Sequence, residues 1–173
     1  MKSWWFSLVL YGLGIGSAHS QATVPQKIDP PLGLFWGESQ KEIQEKNTPI
    51  TQRAVVMQRD AWTVDRFRGS GLKKAILYFG KEKTLVEVEL QYEDPQWTFE
   101  DYQGFFGSAR LKMQARYGQS IVLARYKAPK DDVVETVVSL LWRGEASSIC
   151  LCYFSAERNT DMWRVVSLHY RSE

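Results

Sequence analysis

The strongest constraint on the fold is a change in the spacing of apolar residues between residues 84–92 and residues 99–117. In the first segment, apolar side chains alternate with Glu87, Glu89 and Gln91, which predicts a strand with one buried and one solvated face. In the second segment, apolar residues fall three or four positions apart and form one stripe: Phe99, Tyr102, Phe106, Ala109, Met113 and Tyr117. A long helix with a single apolar stripe is expected to pack on one face of a sheet.

The ends of this helix carry the expected capping residues. Thr98 precedes it and acidic residues fill its first turn, whereas Gly118 follows it. Gly104 and Gly107 each cost about 1 kcal/mol inside a helix. Burial of each large residue of the stripe returns roughly 1.5–3 kcal/mol, so packing is expected to hold the helix together. We expect the two glycines to let the helix approach the sheet closely.

The remaining segments predict a short helix and eight strands. Ser39 and Glu42 form a capping box that begins a helix from Gln40 to Lys46. Strands are predicted at Arg53–Gln58, Trp62–Phe67, Leu72–Phe79, Thr84–Tyr92, Ile121–Lys127, Val133–Trp142, Ser147–Phe154 and Trp163–Arg171. Turns are expected near Arg59-Asp60, at Gly144 and within Ala156–Asp161. The predicted fold class is α+β: a mainly antiparallel sheet with a short N-terminal helix and one long helix on one face. The predicted order of one helix followed by four strands occurs twice. A degenerate duplication of a helix-plus-four-strand unit would produce this repeat.

The first twenty residues have the three parts of a secretory signal peptide. Lys2 precedes an apolar run of about a dozen residues, and small residues follow at Ala18 and Ser20. Cleavage after Ser20 or at a neighbouring small residue is expected. The alternative is a membrane anchor, but a spanning helix needs about twenty apolar residues. We therefore predict a signal peptide at 1–20, an extended Pro-rich arm at 21–33 and a single α+β domain at 34–173.

Composition excludes several classes of function. Without the leader the chain has 21 basic and 20 acidic residues, because Lys2 is the only charged residue removed from the 22 and 20 of the whole chain. Such a balance provides no long-range attraction for nucleic acid. The sequence contains no phosphate-binding loop and no dinucleotide-binding fingerprint. No Cys follows the apolar run, which excludes a lipid-bearing N-terminal Cys.

The residues Leu34-Phe35-Trp36-Gly37-x-Ser39-x-x-Glu42-Ile43 resemble the opening of many small exported bacterial domains of unknown function. The resemblance continues at Tyr78-Phe79, Leu90-x-Tyr92, Tyr102 with Leu111, Tyr117-Gly118, Trp142, Ile149-x-Leu151 and Leu168-x-Tyr170. The layout is also similar to that of the β-lactamase inhibitor protein and of small outer-membrane assembly lipoproteins. In those proteins a helical element packs on an antiparallel sheet, and the sheet or its loops bind another protein. The chain lacks the lipid-bearing Cys of the lipoproteins and the intradomain disulfides of the inhibitor.

Cys150, Cys152 and His169 are the candidate metal or redox residues. Cys150 and Cys152 point to one face of a strand, with Cα atoms roughly 6.6 Å apart, which is the outer limit of disulfide geometry. Two buried thiols are the simplest interpretation, and a strained redox pair is the alternative. Pairing of the last two strands would place His169 on the same face as both thiols. Two thiolates and an imidazole suit copper(I) or zinc, but we favour the interpretation of His169 as a solvated strand histidine over that of a metal ligand.

Other reactive patterns are weaker. Glu87 and Glu89 have the spacing of paired carboxylates, but alternating acids are typical of a solvated sheet face. Serine hydrolase chemistry would need His169 as its base, and no Gly-x-Ser-x-Gly motif is present. Asp131-Asp132 is interpreted as a turn. A basic stretch is expected to protect strand edges, with an anionic lipid or acidic partner as the alternative: Arg66, Arg68, Lys73, Lys74, Lys81 and Lys83.

Together these patterns predict an exported protein, periplasmic or secreted, with no cofactor and no transmembrane segment in its mature chain. The predicted function is a non-enzymatic binding module of the cell envelope, whose partner is another envelope or secreted protein. The alternative is a thiol-redox or metal-handling protein that uses Cys150 and Cys152. The sequence leaves the identity of the partner and the oligomeric state open.

Overall fold

The computed structural model describes residues 26–46, 48–65 and 71–173. The predicted signal peptide, residues 21–25 of the predicted arm and the basic residues Arg66 and Arg68 lie outside the described residues. The last two residues of the predicted strand Trp62–Phe67 lie outside them as well.

Within the described residues, one helix followed by four strands occurs twice. The first group is α1 (Gln40–Glu45), β1 (Gln52–Val56), β2 (Arg59–Val64), β3 (Leu72–Phe79) and β4 (Leu85–Tyr92). The second is α2 (Phe99–Tyr117), β5 (Ile121–Lys130), β6 (Val133–Arg143), β7 (Ser147–Arg158) and β8 (Asp161–Ser172). The predicted element order is therefore confirmed.

All eight strands belong to one antiparallel sheet in the order β1-β2-β3-β4-β8-β7-β6-β5. Each group of four pairs as a meander, and the two meanders meet where β4 pairs with β8, for example at Leu90 and Leu168. The predicted α+β class with a mainly antiparallel sheet is thus confirmed. The edges are β1 and β5. β3 pairs with β4 from Leu72 to Phe79 but with β2 only from Ala75 to Phe79, so protection of a strand edge by Lys73 and Lys74 stays a prediction.

The sheet has two unequal faces. The covered face carries the buried core, and its strand residues include Leu77, Leu90, Leu151 and Leu168. Both helices contribute to this core, through Ile43 of α1 and through Tyr102 and Ala109 of α2. Alternate residues point to the other side, which we call the open face; it includes Glu87, Cys150, Cys152 and His169. No helix of the described chain contributes to a core on that side.

Helix α2 has a capping box at its start, in which Thr98 and Asp101 each bond the backbone amide of the other. It ends at Gly118, whose φ of 79° suits glycine. The predicted stripe is confirmed from Tyr102 to Tyr117, but Phe99 is 40% exposed. Phe105, one position from the predicted stripe, packs instead, with its ring centroid 4.6 Å from that of Tyr92.

The prediction that the helix glycines permit a close approach to the sheet is wrong. A Cβ atom added at Gly104 or Gly107 would meet no atom of the described chain within 4 Å. Neither glycine is therefore required by a close contact between the helix and the sheet.

The start of the domain is fixed to the end of the sheet. Helix α1 has the predicted capping box of Ser39 and Glu42 and ends at Glu45, one residue earlier than predicted. In the arm, Ile28 is fully buried, and its amide donates to Ser147 Oγ at 3.2 Å. Trp36 Nε1 donates to the carbonyl oxygen of Ile28 at 2.8 Å. The described part of the arm has no helix or strand, as predicted, but it is packed.

Three local predictions need correction. The β1–β2 turn lies at Met57-Gln58, where both residues have positive φ, and not at Arg59-Asp60. The β7–β8 turn is confined to residues 159–160, because β7 continues to Arg158. In β4 a bulge near Val86 shifts the register, so that Leu85 and not Val86 faces Phe79 in the core.

Candidate functional site

A buried charged cluster occupies the open face where the two meanders meet. Its centre is Glu87, which is only 2% exposed. Arg59 lies 2.6 Å from one carboxylate oxygen of Glu87, and Arg171 lies 3.0 Å from the same oxygen. His169 Nδ1 lies 3.2 Å from the other oxygen. The prediction that Glu87 lies on a solvated face is therefore wrong, because long neighbouring side chains cover it.

The sheet pairing explains why these residues meet. Glu87 is directly opposite Tyr78 on β3 and Arg171 on β8, and Arg59 comes from β2 beyond β3. Burial alone would raise the pKa of Glu87. The hydrogen bonds from His169 and Arg59, together with the charges of Arg171 and Arg59, outweigh burial and lower the pKa to about 2. Glu87 is accordingly a permanent anion at neutral pH.

Glu89 is the second buried acid of this cluster, at 8% exposure. The Tyr78 hydroxyl donates to Glu89 Oε2 at 2.7 Å, and the Gln91 amide donates to Oε1 at 2.5 Å. Burial, followed by the hydrogen bond to Glu89, raises the pKa of Tyr78. Both acids are thus held by fixed partners within the sheet. They do not form the pair of carboxylates flanking a substrate that glycoside hydrolysis requires.

Three residues lie in the order of a serine hydrolase triad. Ser167 Oγ is 3.0 Å from His169 Nε2, and His169 Nδ1 is 3.2 Å from Glu87. However, Ser167 is 6% exposed and lies in mid-strand, where β8 pairs on one side with Gln91 and on the other with Cys152. The ladders on both sides use the backbone amides that an oxyanion hole would need. The geometry therefore supports a structural hydrogen-bond chain.

The two thiols lie beside this cluster in the predicted register. Cys150 is directly opposite His169, and Cys152 is directly opposite Ser167. Both cysteines are free and half-buried. Burial raises the pKa of Cys150 to about 11, and burial also raises that of Cys152, whose sulfur accepts a hydrogen bond from Ser139 Oγ at 3.2 Å. Both thiols are therefore protonated at neutral pH, and neither has the lowered pKa of a reactive cysteine.

The sequence candidates for a metal site are brought onto one face but are not assembled as ligands. In the described ranges, no three His, Cys, Asp or Glu side chains are grouped in a way that could hold a metal ion. Both ring nitrogens of His169 already have partners, Glu87 and Ser167. A metal at Cys150, Cys152 and His169 would require the imidazole to leave these bonds.

Cross-strand rows on the open face of β5–β8 produce a groove. The middle row consists of small residues, Ala124, Ser139, Cys152 and Ser167, which are paired across the four strands. Larger residues flank this row, including Leu141 on one side. The resulting open-face groove has a volume of about 550 Å³, and Leu123, Leu141, Cys150, Cys152, His169 and Arg171 are among its lining residues.

Exposed apolar side chains lie on the same face of the sheet as this groove. On the side of the small-residue row away from Leu141, the next cross-strand row consists of Tyr126, Val137 and Phe154. The ring centroid of Phe154 lies 5.4 Å from that of Trp163. Tyr126 is 48% exposed and Trp163 is 52% exposed. On the edge strand, Ile121 and Leu123 are 52% and 55% exposed, so we define the open-face patch as these four residues: Ile121, Leu123, Tyr126 and Trp163.

Sequence reasoning did not identify the open-face patch, although one signal was present. Trp163 lies on the opposite side of β8 from Val166, Leu168 and Tyr170, all of which pack in or against the core. A tryptophan on the opposite face of an amphipathic strand indicates an apolar surface outside the core.

No known family model, curated protein or solved structure matches the chain. None of the described helices is both long enough and apolar enough to cross a membrane.

Proposed function

We propose that this chain is an exported protein that binds another protein through the open face of β5–β8. The observation that carries this proposal is the open-face patch itself: an exposed tryptophan, an exposed tyrosine and two exposed aliphatic side chains on the same face as a groove floored by small residues. Trp and Tyr are enriched at the centres of protein interfaces because they bury a large area at a low cost in side-chain entropy.

The edge strand supports a protein partner. β5 is ten residues long, has one neighbour, β6, and is exposed along almost its whole length. Exposed edge strands with apolar side chains are competent to pair with a strand of another chain. Main-chain hydrogen bonds at β5 would supply affinity, and the adjacent groove would accept side chains of the partner.

The proposed compartment is the periplasm or the outside of the cell. It rests on the signal-peptide pattern of residues 1–20. The resemblance to small exported domains supports the same compartment. The layout similar to that of the β-lactamase inhibitor protein and of the assembly lipoproteins supports a protein partner, since the sheets or loops of those two bind other proteins.

A thiol-redox or metal-handling function ranks second. Its requirement is a thiolate at neutral pH, and burial opposes this by raising the pKa of both cysteines. We therefore assign Cys150 and Cys152 to the floor of the open-face groove.

Site-specific photo-crosslinking in the cells that produce the protein tests the proposal. A benzophenone amino acid at position 126 or 163 is expected to form an adduct with one protein partner. The same probe in place of Met57, which is 85% exposed at the opposite end of the sheet, is the control and is expected to form none.

A second variant tests whether the patch acts as a unit. Trp163→Ser should weaken the adduct formed from position 126, whereas Val55→Ser on the opposite edge strand should leave it unchanged. Adducts of equal yield from all three probe positions, or none from positions 126 and 163, would remove the basis of the proposal.

A further inference from the structure

A second cavity lies on the covered face, between the first half of α2 and strands β6 and β7. Its volume is about 410 Å³, and its walls include Phe99, Phe106 and Gly107 of the helix and Val138, Tyr153 and Ser155 of the strands. Sites for small molecules typically measure about 300–1,000 Å³. The cavity is on the opposite side of the sheet from the open-face groove, so its role is independent of the protein interface proposed above.

Gly107 keeps this helix–sheet cavity open. A helix-interior glycine costs about 1 kcal/mol relative to alanine. At Gly107 an added Cβ would meet no described atom within 4 Å, and φ is not in the left-handed region, so neither packing nor backbone geometry requires glycine there. A larger side chain at this position would occupy part of the cavity.

Tyr153, which lines the same cavity, has an unused hydrogen-bonding group. It is 7% exposed, and its hydroxyl oxygen is buried without a hydrogen-bond partner in the described chain. An unsatisfied buried hydroxyl costs about 1–3 kcal/mol, because it has lost its bonds to water. The phenol O–H is a donor, and an acceptor atom bound in the cavity would satisfy it.

The charges at the cavity favour an anionic ligand. Its one acid, Glu157, lies 3.8 Å from Arg164, whose guanidinium also lies over the ring of Phe99 at 5.2 Å. Glu157 is therefore already paired. Arg110 and Lys127 also line the cavity, and neither makes an ion pair in the described chain. Two unpaired cations thus stand beside an aromatic and aliphatic interior.

We propose that the helix–sheet cavity binds an amphiphilic carboxylate that has an acceptor oxygen within its apolar body. The apolar body lies between Phe99, Phe106 and Val138. The internal oxygen accepts a hydrogen bond from the Tyr153 hydroxyl, and the carboxylate binds Arg110 and Lys127 at the mouth. Aromatic walls, one buried donor and a cationic mouth define a site of this chemical class.

Three related compounds test this chemistry by calorimetric titration of the purified mature chain. N-octanoylglycine has both the carboxylate and an internal carbonyl, N-octanoylglycinamide lacks the charge, and decanoate lacks the internal carbonyl. We expect N-octanoylglycine to bind about tenfold more tightly than its amide, because only the acid of this pair forms charge-assisted bonds. We expect it to bind about fivefold more tightly than decanoate.

Three variants link binding to the named residues. Gly107→Leu should abolish binding of N-octanoylglycine, whereas Gly104→Leu, at an exposed position of the same helix outside the cavity, should not. Tyr153→Phe should remove the preference over decanoate without lowering stability, since it deletes an unsatisfied hydroxyl. Arg110→Gln should reduce the preference over the amide.

Several outcomes would overturn the proposal. The first is absence of detectable binding of N-octanoylglycine to the wild-type chain at millimolar concentration. The second is equal affinity for the acid and its amide. The third is full binding by folded Gly107→Leu; if that variant does not fold, unchanged ligand preference in Tyr153→Phe and Arg110→Gln has the same consequence. None of these results affects crosslinking at the open-face patch, so the two proposals fail separately.

Discussion

Replacement of Glu87 by glutamine tests the buried charged cluster. The amide keeps the shape of the side chain but removes the negative charge that Arg59, His169 and Arg171 contact. The pKa of Glu87 falls from 4.5 to about 2 on folding. Because each pKa unit is worth about 1.4 kcal/mol, the ionised carboxylate contributes about 3 kcal/mol to the free energy of unfolding. We expect Glu87→Gln to lose about this amount at pH 7.

The effect has a defined pH dependence. A carboxyl group whose folded pKa is lowered stabilises the native state above its unfolded pKa and loses this contribution as pH falls through the folded value. The difference between wild type and Glu87→Gln should therefore be constant above pH 5, fall to about half near pH 3 and vanish below pH 2.

Urea unfolding followed by tryptophan fluorescence measures this difference at each pH. Glu82→Gln is the matched control, because Glu82 is exposed in the β3–β4 turn, and it should change stability by no more than about 0.5 kcal/mol. A loss below about 1 kcal/mol at pH 7, or a difference that stays constant down to pH 2, would show that the ionised Glu87 carboxylate does not stabilise the fold.

Four further predictions concern the helix, the glycines, the thiols and the serine. Thr98→Ala should lower stability by about 1 kcal/mol in thermal unfolding, since the capping box of α2 is lost. Gly144→Ala should destabilise the fold, because the added Cβ would lie 2.5 Å from a backbone oxygen of the arm. Gly104→Ala should raise stability by up to about 1 kcal/mol, because its Cβ would meet no atom within 4 Å and alanine favours the helix. Equal effects of the two variants on stability would contradict both predictions. Ellman's reagent should label the two thiols slowly in the native state and rapidly in urea. A fluorophosphonate should not label Ser167, and labelling that Ser167→Ala abolishes would restore the hydrolase hypothesis.

Local patterns were sufficient to predict most of the secondary structure. Leu72–Phe79 was predicted with the observed bounds, because its apolar residues are followed directly by Gly80. Both helix starts were identified from residues within one turn, Ser39 with Glu42 and Thr98 with its acidic first turn. The sequence also predicted that His169 shares a face with both cysteines if the last two strands pair with their apolar sides together, and β7 and β8 pair in this way.

Properties that depend on distant segments were not predictable in this way. The burial of Glu87 requires Arg59 from β2, two strands away in the same meander, and Arg171 from β8, which approaches only once the two meanders pair through β4 and β8. The bulge near Val86 reverses the local alternation and is not visible in the spacing of residues. Likewise, the exchange of Phe99 for Phe105 in the helix contact depends on where Trp97 and Tyr92 lie.

The proposed interface requires that another protein cover the open face of β5–β8 in the cells that produce the chain. Hydroxyl-radical footprinting, applied to the purified chain and to intact producing cells, measures this coverage directly. Trp163 and Tyr126 should be oxidised in the purified chain and protected in the cells, whereas Met57 should be oxidised equally in both. Equal oxidation of Trp163 and Tyr126 in the two samples would contradict the account.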